Sequence, residues 1–367
     1  MTRESLGGKG SLERSWTMAA QGKPIDALGL LLCFVLWPLG VLYGIGLRVY
    51  FLAEKLGLRN RTRLPCRVVS VGNLDMGGTG KTSLVERLAQ QLEGRKCAVL
   101  LRGYRGAASH DPVIVSDGSG PGQNWKLGGD EASLLAGNLP GVVVLAGKDR
   151  RVTGRLAAER FKAEVIILDD GLQYWQLHRD ADIVLVDART GFGNGRLMPA
   201  GILREPATGL GRAAAVVITH SDEVSPRSLE LLKKRVVRLA GGPVFTAEYA
   251  PWRIEMADGT VREIGSVSAC KVGALCGIGT PESFEATLKR AGADVVFRRF
   301  FPDHHPFTQG ELDQAARENA SAGAELLLTT QKDFIRTHGL NLPANLGVVR
   351  VRLEIPEFEA LARIALG

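Results

Sequence analysis

The sequence predicts an α/β fold in which a mostly parallel sheet is covered by helices on both faces. Short β-branched, hydrophobic runs recur along the chain at separations that suit intervening helices. A glycine-rich turn joins the first of these runs to a segment with helical leucine spacing, and a later run ends in two acidic residues. Continuous apolar runs of this kind are typical of parallel strands that are buried on both faces.

Composition and charge narrow the class of protein. The 367 residues are 45% hydrophobic and 23% charged, which indicates a globular chain with room for two domains. Lys and Arg outnumber Asp and Glu by 46 to 39, which favours either simple solubility or an anionic partner such as a membrane surface or a phosphorylated substrate. No nucleic-acid-binding motif is present, and nothing indicates a protein partner. The five cysteines show no CxxC or metal-ligand spacing, which suits a reducing compartment.

An apolar segment follows a polar tail of 26 residues. Residues 27–47 carry no charge, and about 20 apolar residues suffice to cross a bilayer. Pro38 would kink a helix at its middle. A helix in the membrane plane, a true span and a buried helix therefore all remain open for residues 27–55. The basic residues from Arg48 to Arg67 favour the cytoplasmic side for the main body.

The glycine-rich turn is a phosphate-binding loop by context. The strand 67–71 leads into GNLDMGGTGKT, and the helix that follows carries Leu84, Leu88 and Leu92. In such loops the backbone N–H groups hold phosphates, the lysine reaches the β- and γ-phosphates, and the final hydroxyl binds Mg²⁺. The pattern predicts a P-loop NTPase-like fold, and the predicted nucleotide-binding residues are Gly77, Gly78, Thr79, Gly80, Lys81 and Thr82.

Two departures from the usual loop stand out. Asp75 occupies the position of the first glycine, and Met76 stands where partition-type ATPases carry their signature lysine. No guanine-reading motif is present. These features disfavour a GTPase or partition-type ATPase switch, which stays the alternative class together with a scaffold protein that has lost catalysis.

Further strands are predicted at 97–101, 142–145, 164–168, 183–186 and 215–218. The strand 164–168 ends in Asp169 and Asp170, which resembles a Walker B element whose carboxylate helps to hold Mg²⁺. The two acids could also cap the following turn.

Two other groups could take part in chemistry. Asp130 opens a helical stretch, where it would act either as an N-cap or as a base that accepts a hydroxyl proton. The stretch FPDHH at 301–305 contains two of the six histidines, as an acid/base or metal pair or as a surface turn.

In combination these motifs resemble the tetraacyldisaccharide 4'-kinase family of lipid A biosynthesis. The similarity covers most of the chain after residue 26 and extends to 331–333. Its motifs are GNLDMGGTGKT at 72–82, RGY at 102–104, GDE at 129–131, DDGLQ at 169–173, RD at 179–180, LREP at 203–206 and FPDHH at 301–305.

The resemblance implies a kinase that uses ATP and Mg²⁺ to phosphorylate the 4'-hydroxyl of an anionic glycolipid, a tetraacyldisaccharide 1-phosphate. It implies work at a membrane surface, on the cytoplasmic face of the bacterial inner membrane. The implied catalytic residues are Asp130 as the base, His304 as its charge-tuning partner, Lys81 and Asp170. Thr82 and Asp169 are implied at the metal, and Arg204 and Glu205 in substrate binding and the surrounding network.

The resemblance also implies a smaller C-terminal α/β domain across a cleft from the P-loop domain. The predicted divisions are 1–26, a polar tail; 27–55, a membrane-associated helix; 56–240, the kinase domain; 241–271, linker strands; and 272–367, the C-terminal domain. Two residues depart from the family pattern, because Tyr174 stands where histidine is common and Arg105 where glycine is usual.

Overall fold

The computed structural model describes residues 9–23, 27–58, 60–92, 94–103, 112–122, 125–279, 281–303 and 305–367. In these ranges the helices are α1 (Lys9–Ala20), α2 (Ala27–Lys55), α3 (Lys81–Gln90), α4 (Asp130–Asn138), α5 (Arg150–Glu159), α6 (Pro226–Leu239), α7 (Pro281–Arg290), α8 (Gln309–Ser321), α9 (Gln331–Arg336) and α10 (Phe358–Leu366). The strands are β1 (Arg67–Asn73), β2 (Cys97–Leu101), β3 (Val113–Asp117), β4 (Val143–Ala146), β5 (Val165–Asp169), β6 (Ala181–Asp187), β7 (Ala215–Thr219), β8 (Val244–Thr246), β9 (Glu248–Met256), β10 (Val261–Glu263), β11 (Lys271–Cys276), β12 (Asp294–Phe300), β13 (Leu326–Thr330) and β14 (Leu346–Glu354).

The first lobe is built on a sheet whose eight described strands lie in the order β3-β4-β2-β5-β1-β6-β7-β8. All neighbours are parallel except β3, which runs antiparallel to β4 at the edge. Alternate residues of β5 enter different cores: Ile167 packs with α3 and α4, whereas Ile166 packs with α5. Helices therefore cover both faces, as predicted.

The second lobe is built on a mixed sheet of six described strands in the order β10-β9-β14-β13-β11-β12. The strands β11 to β14 are mutually parallel where they pair, and β9 joins them antiparallel to β14. The segment 241–271, expected as linker strands, thus contributes β9 and β10 to this sheet. The cause is a long pairing of β9 with β14, which runs from Met256 opposite Gly347 to Glu248 opposite Glu354.

The last helix returns to the first lobe. In α10, Leu361 and Ala365 are fully buried in the core that also contains Leu84 of α3. Arg67 at the start of β1 donates a hydrogen bond from Nε to the carbonyl of Ala365 (3.0 Å), close to the helix C-terminus. The range 272–367 therefore belongs to two lobes, because its final helix completes the sheet of the other.

The apolar segment forms one long helix, α2, with Pro38 inside it. In the described part of the chain it is the one helix long and apolar enough to cross a membrane, and only 17% of its most apolar stretch is buried. Phe34 and Leu42 are 75% and 63% exposed. A core helix would bury such side chains, so the buried-helix interpretation does not fit this structure. Part of the polar tail forms α1, whose Trp16 Nε1 donates to the Pro199 carbonyl (2.8 Å).

Candidate active site

The phosphate-binding loop lies at the carboxyl end of β1, in the middle of the first sheet. It ends at Gly80, whose φ of 82° is left-handed and favours glycine. A Cβ at Gly80 would also lie 1.3 Å from the hydroxyl of Tyr249, which β9 brings over the loop. No side chain in the described part of the chain caps the N-terminus of α3. The helix therefore begins with backbone N–H groups that suit an anion.

The missing first glycine is explained by the contacts of Asp75. This carboxylate is only 4% exposed, and its Oδ1 accepts hydrogen bonds from the Gly77 N–H (3.1 Å) and from Asn73 Nδ2 (2.6 Å). Burial raises the pKa of Asp75, while the Gly77 N–H and the charge of Lys81 oppose the shift. Asp75 thus fixes the first half of the loop from inside, where the usual loop relies on glycine.

Lys81 and Thr82, the first residues of α3, face the two predicted acids. Lys81 Nζ lies 3.0 Å from Asn73 Oδ1 and 3.6 Å from Asp170 Oδ1. The Thr82 hydroxyl donates to Asp169 Oδ2 (3.2 Å). Parallel strands β1 and β5 are neighbours, so their carboxyl ends bring the loop and the acids together, as the sequence predicted.

The two adjacent acids occupy different environments. Asp169 is 4% exposed, and its pKa is raised by burial and then by the nearby charge of Glu131. Burial would also raise the pKa of Asp170, but hydrogen bonds from Arg204 and the charge of Lys81 outweigh it and lower the pKa to about 2. Asp170 is therefore a fixed negative charge, whereas at Asp169 burial outweighs the opposing effects of Lys81 and the Thr82 hydrogen bond on the pKa, so this carboxylate is suited to a cation.

Arg204 and Glu205 take part in an internal network. Arg204 holds Asp170 with both terminal nitrogens, at 3.0 and 2.9 Å. Glu205 is 1% exposed and accepts from Gln173 Nε2 (3.0 Å) and from Arg212 Nη2 (2.9 Å). The Glu205 carboxylate is thus held by two side chains of its own lobe, and its role in substrate binding stays a prediction. The expected glycolipid contact of Arg204 stays a prediction.

Asn73 and Arg150 are site residues that the sequence analysis missed. Besides Lys81 and Asp75, Asn73 binds the Gly77 carbonyl through Nδ2 (3.0 Å). Arg150, 4% exposed, donates to the Asp169 carbonyl (2.8 Å). Asn73 could have been predicted, because it is a polar residue at the end of a buried strand. Arg150 could not, because no local pattern relates it to Asp169, which is 19 residues away.

Tyr174, the first departure from the family pattern, has a structural task. Its hydroxyl donates to Asp149 Oδ1 (2.7 Å) and accepts from the Arg150 N–H (3.1 Å). It therefore fixes the start of α5, and with it the arginine behind Asp169. Arg105, the second departure, and Tyr104 lie outside the described residues.

Asp130 is the first residue of α4, and its carboxylate is 43% exposed. The structure pairs Asp130 Oδ2 with Nε of Arg336 in the second lobe, at 3.2 Å. The neighbouring Glu131 is close enough to Asp169 to affect its pKa. The GDE motif therefore lies where the two lobes meet, beside the acids at the end of β5.

In the FPDHH motif, His305 is held by its own lobe. Its ring stacks on Phe301 with centroids 4.4 Å apart, and its Nε2 lies 3.0 Å from Glu311 Oε1 in α8. His305 therefore has a structural position. His304, the predicted partner of Asp130, lies outside the described residues.

Helix α2 packs against the loop that carries Arg204. The Tyr43 hydroxyl donates to the Arg204 carbonyl (2.8 Å), and a Cβ at Gly40 would lie 3.0 Å from the Leu197 carbonyl. Nearer its C-terminal end, Tyr50 packs against Trp175 with ring centroids 4.6 Å apart. The exposed apolar helix is thereby joined directly to the loops that position Asp170.

The chain is similar in sequence to known proteins. A sequence model of the LpxK family, tetraacyldisaccharide-1-P 4'-kinase, matches residues 32–365. The chain is 42% identical over 307 residues to the tetraacyldisaccharide 4'-kinase of Anaeromyxobacter dehalogenans strain 2CP-C, covering 82% of this chain and 80% of that one. It is 40% identical over 305 residues to the kinase of the same name from Syntrophus aciditrophicus, covering 80% and 82%.

A solved structure extends the likeness to the fold. The "apo" form of LpxK from Aquifex aeolicus, in complex with ATP, superposes with a TM-score of 0.75 at 32% identity. The match covers 91% of this chain and 98% of the Aquifex chain. Both lobes are therefore included, and the resemblance drawn from the motifs is confirmed: the chain belongs to the tetraacyldisaccharide-1-P 4'-kinase family.

Proposed function

We propose that this protein transfers the γ-phosphate of ATP to the 4'-hydroxyl of a tetraacyldisaccharide 1-phosphate at a membrane surface. The observation that carries the proposal is the convergence of Lys81, Thr82, Asp169 and Asp170 at the end of β1 and β5, beside an exposed apolar helix. Phosphoryl transfer needs positioned phosphates and charge stabilisation more than covalent chemistry, and this site offers both.

The donor set fits Mg²⁺. Asp169 Oδ1 is buried and has no hydrogen-bond partner among the described residues, and the carboxylate already orients the Thr82 hydroxyl. Hard oxygen ligands are what Mg²⁺ prefers, and it usually needs only one or two protein carboxylates beside water and phosphate oxygens. Thr82 and Asp169 would hold the ion, which when bound neutralises charge on the phosphate oxygens.

Proton transfer would fall to Asp130. In the reaction, the acceptor oxygen forms a bond to the γ-phosphorus, the bond to the oxygen bridging to the β-phosphate breaks, and ADP leaves with that electron pair. The hydroxyl proton passes to the Asp130 carboxylate, which is accessible enough to meet an acceptor. Lys81 would balance charge on the β- and γ-phosphates.

Membrane attachment follows from the substrate. Each methylene of an acyl chain contributes about 0.8 kcal/mol to its preference for the bilayer, so a lipid with four chains stays there. The exposed apolar surface of α2 would enter the membrane, and its contacts to the Arg204 loop would keep the site beside it. We place the protein at the cytoplasmic face of the bacterial inner membrane, where ATP is available and where basic residues such as Arg48 would remain.

The direct test is incubation with labelled ATP, Mg²⁺ and tetraacyldisaccharide 1-phosphate in detergent. We expect label in the lipid, and we expect Asp130→Asn to lower the transfer rate about 100-fold or more while ATP still binds. Release of inorganic phosphate without labelled lipid would support the switch class instead. Wild-type transfer by Asp130→Asn would overturn the role of the base.

Flotation with liposomes tests the attachment separately. Removal of residues 1–55 should abolish recovery with the liposomes and spare ATP binding, because the first sheet and its phosphate loop begin after this range. Equal flotation of the full-length and shortened proteins would contradict the role of α2.

A further inference from the structure

Arg336 is an almost buried arginine of the second lobe that points at the proposed base of the first. It is the last residue of α9, and its side chain is 7% exposed. Among the described residues its guanidinium donates to the Asp130 carboxylate at 3.2 Å, the Asp333 carboxylate at 3.0 Å and the Gly277 carbonyl at 2.9 Å. Asp333 and Gly277 belong to the second lobe, so the position of the guanidinium is set mainly by that lobe.

The residues behind Arg336 are buried and hydrogen-bonded to one another. Asp333 is fully buried, accepts from the Thr330 hydroxyl (2.7 Å) and receives Arg336 on its other oxygen. Thr330 caps α9 through the Asp333 N–H. Gly277 follows β11 and lies against the turn that contains Pro302 and His305. Arg336 is therefore held by residues at the carboxyl ends of β11 and β13, next to the turn after β12.

Unlike the buried Asp333, Asp130 is a partly exposed partner of Arg336. The Asp130 carboxylate is 43% exposed, and the atom that reaches it is Nε of a guanidinium held elsewhere. A planar guanidinium with fixed partners dictates the direction from which a carboxylate can bind it. Arg336 thereby orients the carboxylate through Oδ2, and 43% of the Asp130 side chain is exposed.

We propose that Arg336 is a positioning residue that orients the Asp130 carboxylate for proton acceptance and makes that orientation depend on the placement of the second lobe. The inference rests on the proposed function, since it assumes that Asp130 accepts the hydroxyl proton. It assigns a role in catalysis to the last residue of α9, a helix that contains none of the site residues predicted from the sequence.

The chain offers a matched control at the other end of α4. Arg350 of β14 also reaches across to the first lobe, where its Nη1 donates to Asn138 Oδ1 (2.9 Å). Its side chain is 17% exposed and is paired with Glu255 in its own lobe. Replacement of Arg350 removes a contact between the lobes without touching Asp130, so it separates positioning of the base from general support of the interface.

The experiment compares Arg336→Met, Arg336→Lys and Arg350→Met in the full-length protein by steady-state phosphate transfer to the lipid. We expect Arg336→Met to lower kcat about tenfold or more with the KM for ATP nearly unchanged, because the interaction bears on the transition state. Arg336→Lys should recover part of the loss, since a lysine keeps the charge but not the fork. Arg350→Met should stay within about twofold of the wild-type kcat, as expected for a contact away from the reacting atoms.

A double-mutant cycle with Asp130→Asn completes the test. If Arg336 acts through Asp130, Arg336→Lys should have no further effect on the residual rate of Asp130→Asn. Equal effects in both backgrounds, a change confined to KM, or an increase in kcat would overturn the inference. Arg336→Lys keeps a charge opposite Asp333, so the cycle remains decisive if Arg336→Met does not fold. An active Asp130→Asn would instead refute the proposed base, which keeps the two failures distinct.

Discussion

Asp75 stands at the position where phosphate loops of the usual pattern carry their first glycine. Its buried carboxylate binds the Gly77 N–H and the Asn73 side chain, so one residue fixes the loop to the strand before it. The segment 202–204 supports the same turn, because the Met76 N–H donates to the Ile202 carbonyl (3.0 Å). The Asp75 side chain and the segment 202–204 thus stabilise together a turn that starts with glycine in the usual loop.

Asp75→Ala should lower the free energy of unfolding by about 1–3 kcal/mol, because it removes the acceptor of the Gly77 N–H and one of the two acceptors of the buried Asn73 amide. It should also weaken ATP binding several-fold by loosening the loop. Chemical denaturation and ATP titration measure the two effects.

The control for this prediction is Asp75→Asn, which keeps an oxygen acceptor in the same place. It should lose much less stability than Asp75→Ala. Equal losses in the two variants would show that the charge of Asp75, rather than its hydrogen bonds, holds the loop.

At this scale, residues in local patterns could be predicted from the sequence, and residues that act through distant partners could not. Lys81, Thr82, Asp169 and Asp170 follow from strand ends and loop spacing, and the structure brings them together. Arg336 is 206 positions from Asp130, so only the packing of two lobes makes them partners.

Among the elements, α2 links an exposed apolar surface to the site. Gly40 lies so close to the Leu197 carbonyl that a Cβ there would be 3.0 Å away. The Tyr43 hydroxyl donates a hydrogen bond to the Arg204 carbonyl. Because Arg204 in turn holds Asp170, a change in how α2 docks should reach the acids.

Gly40→Leu should lower phosphate transfer to lipid in vesicles by about 3- to 30-fold, because small misplacements of positioning groups are costly in catalysis. A Cβ there already lies 3.0 Å from the Leu197 carbonyl, so the helix must shift. Gly46→Leu in the same helix is the control, since a Cβ at that position meets nothing within 4 Å. Similar rates for the two variants would refute the link between α2 docking and the site.

The strands of the first sheet were easier to predict than those of the second. The first sheet is buried on both faces, so β5 and β7 read as continuous apolar runs. In the second sheet, β12 carries exposed charged residues and β9 is mostly half-exposed, so the apolar signal is diluted. The edge strand β3 was missed for the same reason, because only its Val115 and Ser116 are buried.

On the scale of the whole molecule, the chain crosses between lobes twice. It leaves the first lobe after β8 and returns at α10, which buries Leu361 against the first sheet. Sequence order alone suggested a simple succession of domains, because a short amphipathic helix does not reveal which sheet it covers. The C-terminal end of the chain therefore belongs to the first lobe.

Leu361→Ala should lower the free energy of unfolding by about 2–5 kcal/mol, since the side chain is completely buried. Hydrogen exchange should show the loss in β1 and β6, which α10 contacts, although the mutation follows the second lobe in sequence. Leu231→Ala, at a leucine that is 61% exposed, is the control and should change stability little. Exchange that increases only in the second lobe would contradict the assignment of α10 to the first.

The central claim is the position of the transferred phosphate. Product made from ATP and tetraacyldisaccharide 1-phosphate can be analysed by phosphorus–proton correlation NMR, with Lys81→Met as the inactive control. We expect a second phosphorus signal coupled to the proton on the 4'-carbon of the disaccharide, and we expect this signal to be absent with Lys81→Met. A product phosphorylated elsewhere, a pyrophosphate at the 1-position, or free phosphate as the only product would contradict it.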